Sequence, residues 1–204
     1  MQSPSNGVCR ISRNQPIGRT RPRRGRTLRP MQTTSFAIEE LTQPIADADI
    51  RGLAELLVDA VRSGASVSFL GDITHEVATA WWRDSLRHLG DRDVLLVVRD
   101  EIGIIGTVQV RACWQPNQRF RGEIMKLLVH RRARGRGLAP ALMDAIERRA
   151  RGIGLSLLVL DTNVGTTAAR LYDRLGWTRA GVIPGYCLLN DGTPGDAAFY
   201  YKRI

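Results

Sequence analysis

Two glycines, Gly135 and Gly137, stand in the stretch "VHRRARGRGLAPALM" (residues 129–143), between an apolar run and a new amphipathic pattern. At such a junction glycine lets the backbone turn sharply and brings its N–H groups close to a ligand. The helix that follows adds unpaired N–H donors and the positive end of its dipole. Pro140 falls in the first turn of that helix, where a missing N–H costs little. The chemistry served is that of an anion, most naturally a pyrophosphate. A tight strand-to-helix connection with arginines merely in solvent uses the same residues, and the loop by itself fits both roles equally. A Walker A loop is excluded because no Gly-Lys-Ser/Thr follows, and a dinucleotide fingerprint would need glycine where Pro140 stands. Arg132, Arg134 and Arg136 cannot all point at one pyrophosphate.

Two carboxylates flank this loop in sequence. Glu123 opens the strand leading into it and is the only acid between Glu101 and Asp144. By position alone it reads as a rim carboxylate paired with Lys126 or Arg121. Asp161 closes the apolar run "LSLLVLD", and the carboxyl ends of strands are where open α/β sheets present groups to ligands. The same Asp161 could cap the next turn through Thr162 or Asn163. Cys9, Cys113 and Cys187 are scattered without metal-ligand spacing, and the three histidines are not paired at helical spacing. No metal site and no disulfide framework are expected, and a reducing cytoplasm is the default compartment. Cys113 reads as buried filler, and His75 and His88 carry no functional role. Trp81 and Trp82 cannot both face the core, which leaves one for the surface or an acceptor pocket.

The elements that must position these groups follow from periodicity. "TSFAIEEL" reads as a first strand. "ADADIRGLAELLVDAVRSG" puts Ile50, Leu53, Ala54, Leu57 and Val61 on one helical face, and "THEVATAWWRDSLRHLG" is a second helix opened by Thr74 and closed by Gly90. "DVLLVVRD" and "GIIGTVQVRAC" flank the turn "DEIG" as an antiparallel hairpin. After the loop "WQPNQRFRG" come the strand "EIMKLLVH", the glycine loop, and a helix to about Arg151. The strand "LSLLVLDT", the helix "TTAARLYDRLG", the strand "WTRAGVIPGYCL" with a Pro-Gly kink, and a final strand "DAAFYYKRI" complete the chain. The order β-α-α-β-β-β-α-β-α-β-β predicts an α/β fold on a mixed sheet.

A chain of 204 residues suits one domain plus a tail, and no stretch approaches the roughly 18 uninterrupted apolar residues of a membrane span. The net charge of +10 is unevenly spread: residues 1–30 hold eight arginines and no acid, whereas from Met31 onward 22 basic residues face 20 acidic ones. Residues 1–33 lack periodicity and mix Arg with Pro, Gly, Ser and Asn, the composition of a disordered tail. Three origins fit it: a gene-model extension ahead of a start at Met31, a solvated or nucleic-acid-touching arm, or an organelle transit peptide. Nucleic-acid binding is therefore expected only through the tail.

The run Arg132-Ala133-Arg134-Gly135-Arg136-Gly137, after a strand and before a helix, resembles the Q/R-x-x-G-x-G/A signature of the GNAT N-acyltransferase superfamily. "LDTNVGTTAARLYDRLGW" resembles that superfamily's next strand and helix, which end in an "LYxxxGF"-like motif. "SGASVSFLGDITHEVATAWW", "GEIMKLLV", "IPGYC" and "AFYYKRI" resemble the tabtoxin-resistance acetyltransferases and their close relatives. The resemblance covers residues 34–204, leaving 1–33 outside. It implies a GNAT fold, with a mostly antiparallel sheet of about seven strands and about four helices. It also implies transfer of acetyl from acetyl-CoA to the amine of a small molecule, an antimetabolite, antibiotic or amino-acid-like compound. A protein N-terminus or lysine as acceptor is the alternative, and a homodimer is left open.

Residue by residue, the resemblance assigns Glu123 to base work or amine binding and Tyr172, in "LYDRLGW", to protonation of the departing thiolate, while Asp161 stands as a second candidate for base work or amine binding from its place at a strand end. A phenol of pKa near 10 holds its proton at neutral pH and can donate to a thiolate of about 8.5. The backbone of Arg134, Gly135, Arg136, Gly137 and Leu138 would bind the pyrophosphate, with Arg132 as the family marker. Leu127, Leu128 and Val129 would pair with the pantetheine as a pseudo-strand. Many family members carry Asn seven residues before the tyrosine; here that place is Gly165, with Asn163 as the substitute.

Overall fold

The computed structural model describes residues 36–204, and the tail expected over 1–33 lies outside the described residues. Eleven main elements follow in the expected order. They are β1 (Ile38–Glu40), α1 (Asp47–Arg62), α2 (His75–Arg87), β2 (Val94–Arg99), β3 (Ile104–Ala112), β4 (Arg121–Val129), α3 (Leu138–Gly152), β5 (Leu157–Asn163), α4 (Thr167–Arg174), β6 (Thr178–Leu188) and β7 (Pro194–Arg203). The strands form one mixed sheet in the order β1-β2-β3-β4-β5-β7-β6. β4 and β5 run parallel, and every other neighbouring pair is antiparallel.

The sheet is covered on both faces, and β2 shows how its sequence specifies that. Val94, Leu96 and Val98 join the core beneath α3, whereas Leu95 and Val97 join the core beneath α1 and α2. A strand buried on both sides reads as a continuous apolar run rather than an alternating one. In α1 all five positions of the expected apolar face are buried, and so are Leu56, Val58 and Ala60, because the helix packs against both the sheet and α2. α2 starts where the Thr74 hydroxyl accepts the Val77 N–H at 3.3 Å, the expected cap. Trp82 is fully buried, and Trp81 is only half-buried. On the other side of the sheet the buried Glu147 of α3 accepts from Trp177 Nε1 at 3.1 Å and from Lys202 Nζ at 2.7 Å, tying α3 to β7 and to the turn after α4.

Some boundaries differ from expectation. Of the described part of "TSFAIEEL", residues 36–41, β1 takes Ile38–Glu40, the three that find ladder partners on β2. The loop after β3 contains a 3-10 turn over Pro116–Gln118, and Arg121 and Gly122 already belong to β4 through their pairing with Leu157 and Leu158. Cys113 is half-buried rather than buried, its sulfur accepting Arg121 Nε at 3.2 Å. The Pro184-Gly185 kink appears as a break in the β6–β7 register between Ile183 and Cys187.

Candidate active site

β4 hands over to α3 through a 3-10 turn at Arg131–Ala133 and then the glycine loop. Gly135 has φ +74° and Gly137, the N-cap of α3, has φ +81°. A Cβ at either would meet nothing within 4 Å, so glycine is required by the backbone conformation and not by space. Side chains with Cβ would be strained there, and the loop would lose its turn toward the cleft. No side chain caps α3, which leaves its first N–H groups available.

The arginines divide by role. Arg132 binds both oxygens of Asp100 in the β2–β3 turn, at 3.0 and 3.1 Å, and this bond holds the Asp100 carboxyl down at about 2. Arg136 lies 5.8 Å from the Phe36 ring centroid. Neither side chain lines the cavity described below, in keeping with the expectation that the three arginines do not all point at one pyrophosphate. Arg134 does line it, while its guanidinium donates to Val129 O and to the Ser63 hydroxyl. Gly135, Gly137 and Leu138 line it as well.

The cavity itself comes from a parting of strands. β4 and β5 pair at Arg121–Leu157, Gly122–Leu158 and Glu123–Val159, and share no ladder pair beyond. Opposite β3, the register shifts by one residue between Met125 and Leu128, and Lys126 sits in this bulge at φ +52°, the left-handed region that a lysine seldom enters. The diverging edges enclose about 840 Å³, bounded by Leu127, Leu128 and Val129 on one side and Asp161 and Asn163 on the other. Leu128 turns its side chain into the α1 core and Leu127 packs toward the α3 core, so the strand offers the cleft its backbone. Asn163 lines the cavity, but its side-chain oxygen accepts from Cys187 Sγ at 3.3 Å.

Asp161, Tyr172 and Lys126 share the cavity; Glu123 lies outside its lining, at the last paired step before the strands part. Both carboxylates remain accessible to solvent. Partial loss of hydration against the cleft walls still raises Asp161, with the Lys126 ammonium offsetting part of the effect. Glu123 is raised by the same loss and then by repulsion from Asp161. Burial, and after it the Asp161 carboxylate, push the Tyr172 phenol above the ordinary tyrosine range. Its ring is core as well as cavity wall, with centroids 5.8 Å from Tyr200 and 5.9 Å from Trp177.

Lys126 was legible in the sequence only as a partner for Glu123. Its ammonium instead lies 4.7 Å from the Trp81 ring and 5.9 Å from the Phe69 ring, donating to Val67 O at 3.3 Å and to the Ser68 hydroxyl at 3.2 Å. Burial lowers its pKa to about 8 against the upward pull of Asp161 and Glu123. The α1–α2 connection that carries Val67, Ser68 and Phe69 is pinned from the far side. Asn190, in the β6–β7 turn, accepts the Gly71 N–H at 3.1 Å and donates from Nδ2 to Val61 O at 2.8 Å.

The sequence model of the acetyltransferase (GNAT) family matches residues 52–177, which contain α1, the bulged β4, the glycine loop and Tyr172. The chain belongs to the GNAT acetyltransferase family. It is an acetyl-CoA-dependent N-acetyltransferase. Solved structures of other acetyltransferases share its fold. The ribosomal-protein-alanine N-acetyltransferase of Brucella melitensis is 21% identical, with a TM-score of 0.65 over 82% of this chain and 99% of that one. A Salmonella typhimurium acetyltransferase solved with acetyl-CoA is 21% identical, at 0.66 over 83% and 94%. A GNAT acetyltransferase of Streptococcus pneumoniae is 20% identical, at 0.68 over 83% and 100%. In this GNAT acetyltransferase the open cradle at Gly135 and Gly137 and the unpaired strand edges leading from it fit a pyrophosphate joined to an extended, amide-bearing arm. Among the described residues no helix is long and apolar enough to cross a membrane, and no group of His, Cys, Asp and Glu could hold a metal ion.

Proposed function

We propose that residues 34–204 transfer the acetyl group of acetyl-CoA to the amine of a small, amino-acid-like molecule, in the manner of the tabtoxin-resistance acetyltransferases. The observation that carries the small-molecule choice is the pinned wall. The α1–α2 connection is tied to β4 through Lys126 and to the β6–β7 turn through Asn190, so a fixed wall stands beside the acidic end of the cleft while Asp161 and Glu123 stay open to solvent. A fixed wall beside the carboxylates suits a compact amine better than an extended peptide.

The mechanism we propose is direct attack. Asp161 and Glu123 draw an ammonium into the cleft, and Asp161, which lines the cavity, takes its proton, with Glu123 relaying through water. The backbone N–H groups from Arg134 to Leu138 hold the pyrophosphate, Leu127 to Val129 align the pantetheine, and Asn163 stands beside the arm. The attacking amine forms a C–N bond, the C–S bond breaks, the Tyr172 phenol gives a proton to the thiolate, and the surplus proton of the acylated nitrogen restores the phenol. Burial keeps that phenol protonated, so its proton is present when the thiolate leaves, though as that of a weaker acid.

An acetyl-CoA consumption screen over an amine panel tests the proposal. The panel includes tabtoxinine-β-lactam and amino-acid analogues beside peptides with an N-terminal alanine or an internal lysine. Turnover with the small amines is expected. Turnover confined to the peptides assigns a protein acceptor and overturns the small-molecule reading.

A further inference from the structure

Trp81, Phe69, Val67 O and Ser68 Oγ surround a cation from several sides, with Asp161 and Glu123 supplying negative potential. Aromatic faces, a carbonyl and nearby carboxylates are what an alkylammonium ligand requires. Here the occupant belongs to the chain: Lys126 presents a primary amine on a four-carbon stem, in a cavity whose wall it shares with Asp161 and Tyr172. We propose that Lys126 is itself an acetyl acceptor, modified at Nζ by the acetyl-CoA bound in the same cavity. The proposal rests on the transferase chemistry above and adds a modification site to it.

The chemistry balances with the groups present. Lys126 loses a proton to Asp161 or to water, and its nitrogen attacks the thioester carbonyl. The C–N bond forms as the C–S bond breaks, the thiolate leaves with a proton from Tyr172, and the surplus proton of the acylated nitrogen restores the phenol, giving acetyl-lysine and free CoA. Two features favour the step. With a pKa of about 8, about half of the side chain is neutral at pH 8, against below about 1% for an unperturbed lysine. The same deprotonation that makes the nitrogen nucleophilic also removes its attraction to the Trp81 face, which leaves only two long hydrogen bonds to hold it in place. The neutral amine is therefore free to swing into the cavity. Acetylation cancels the positive charge beside Asp161 and Glu123, leaving the cleft more acidic.

The composition of the chain makes the experiment clean, because Lys126 and Lys202 are its only lysines. Lys202 is held by Glu147 and by Leu175 O, on the α3 side of the sheet, and serves as an internal control. The full chain is incubated with acetyl-CoA and no amine at pH 6.5 and pH 8.5, followed by intact mass and peptide mapping. A gain of one acetyl group at Lys126 is expected, at least several-fold faster at the higher pH. The rate per molecule should not depend on protein concentration, should be suppressed by excess CoA, and should be absent in Lys126→Arg. Acetyl found equally on Lys202, a rate insensitive to CoA, or a rate that climbs with protein concentration overturns the proposal. No gain at Lys126 in a preparation that acetylates the amine panel refutes self-acetylation and leaves the transferase function standing. No acetyl-CoA consumption and no binding defeats both.

Discussion

Asp161 and Glu123 are charged groups kept where charge is disfavoured, and that has two measurable sides. Their folded-state values lie above the ordinary carboxylate range. Between the unfolded value and the raised folded value the folded chain binds more protons than the unfolded one, so stability falls as pH rises through that window. Asp161→Asn is therefore expected to raise the thermal midpoint at pH 7 while lowering kcat by about 10²-fold or more. Melting curves and initial rates on the same preparation check both; an unchanged kcat removes Asp161 from proton transfer. Glu123→Gln, outside the cavity wall, should cost less turnover and move the acid limb of the kcat/KM profile to lower pH, because Asp161 loses a neighbouring charge. Tyr172→Phe tests the other end of the reaction. It keeps the ring that packs on Trp177 and Tyr200 and deletes the proton, so kcat should fall by about 10²-fold with acetyl-CoA affinity nearly kept. Turnover equal to that of the unaltered chain would assign the protonation elsewhere.

At the scale of elements, the β4–loop–α3 unit carries the backbone proposed to face the coenzyme. Gly137 is its most demanding position: its left-handed conformation would cost an alanine about 1 kcal/mol, with no steric clash added. Gly137→Ala should lower the melting point modestly in the absence of acetyl-CoA and lose a larger share of the stabilisation that acetyl-CoA confers, as read by paired melts. This unit was the most readable part of the chain, since two glycines mark the strand-to-helix junction, the apolar spacing from Leu138 to Ile146 fixes the helix, and the family resemblance of the loop decides between its two roles. The order of all the main elements was equally legible, because period and punctuation agree in each segment. The bulge at Lys126 was not. "EIMKLLV" reads as plain strand, and nothing in a lysine announces a left-handed backbone; only the shifted pairing with β3 does. The fates of Arg132 and Arg136 were hidden for a related reason. Their partners, Asp100 and Phe36, lie 32 and 100 residues away in the chain. Asn190 and Val61 are 129 residues apart, and no local pattern predicts the bond that ties α1 to the β6–β7 turn.

Among the described residues the two cores lie on opposite faces of one sheet, with the cleft cut through it. A ligand lodged there touches α1, β4, α3, β5 and α4 together. Acetyl-CoA at about 100 times its Kd should add about 2.7 kcal/mol. For a folded unit of this size that is a rise of roughly 5–10 °C in the melting midpoint. A scan that shows no shift at saturating acetyl-CoA contradicts the coenzyme cradle. Removing residues 1–30 should leave this shift and the acetyl transfer intact while abolishing whatever retention on DNA or RNA the full chain shows, since the excess positive charge lies in that segment.

The parting of β4 from β5 also sets a clock. Backbone amides on the cleft edge of Met125–Val129 have no strand beside them, whereas the amides on the opposite edge are bonded into β3. In deuterated water the two edges of one strand should therefore exchange at different speeds, the cleft edge within seconds to minutes and the β3 edge over hours, as global opening allows. A pantetheine arm lying along the gap would act as the missing strand and slow the fast edge alone. Amide exchange along β4, with and without acetyl-CoA, would show the coenzyme completing the sheet.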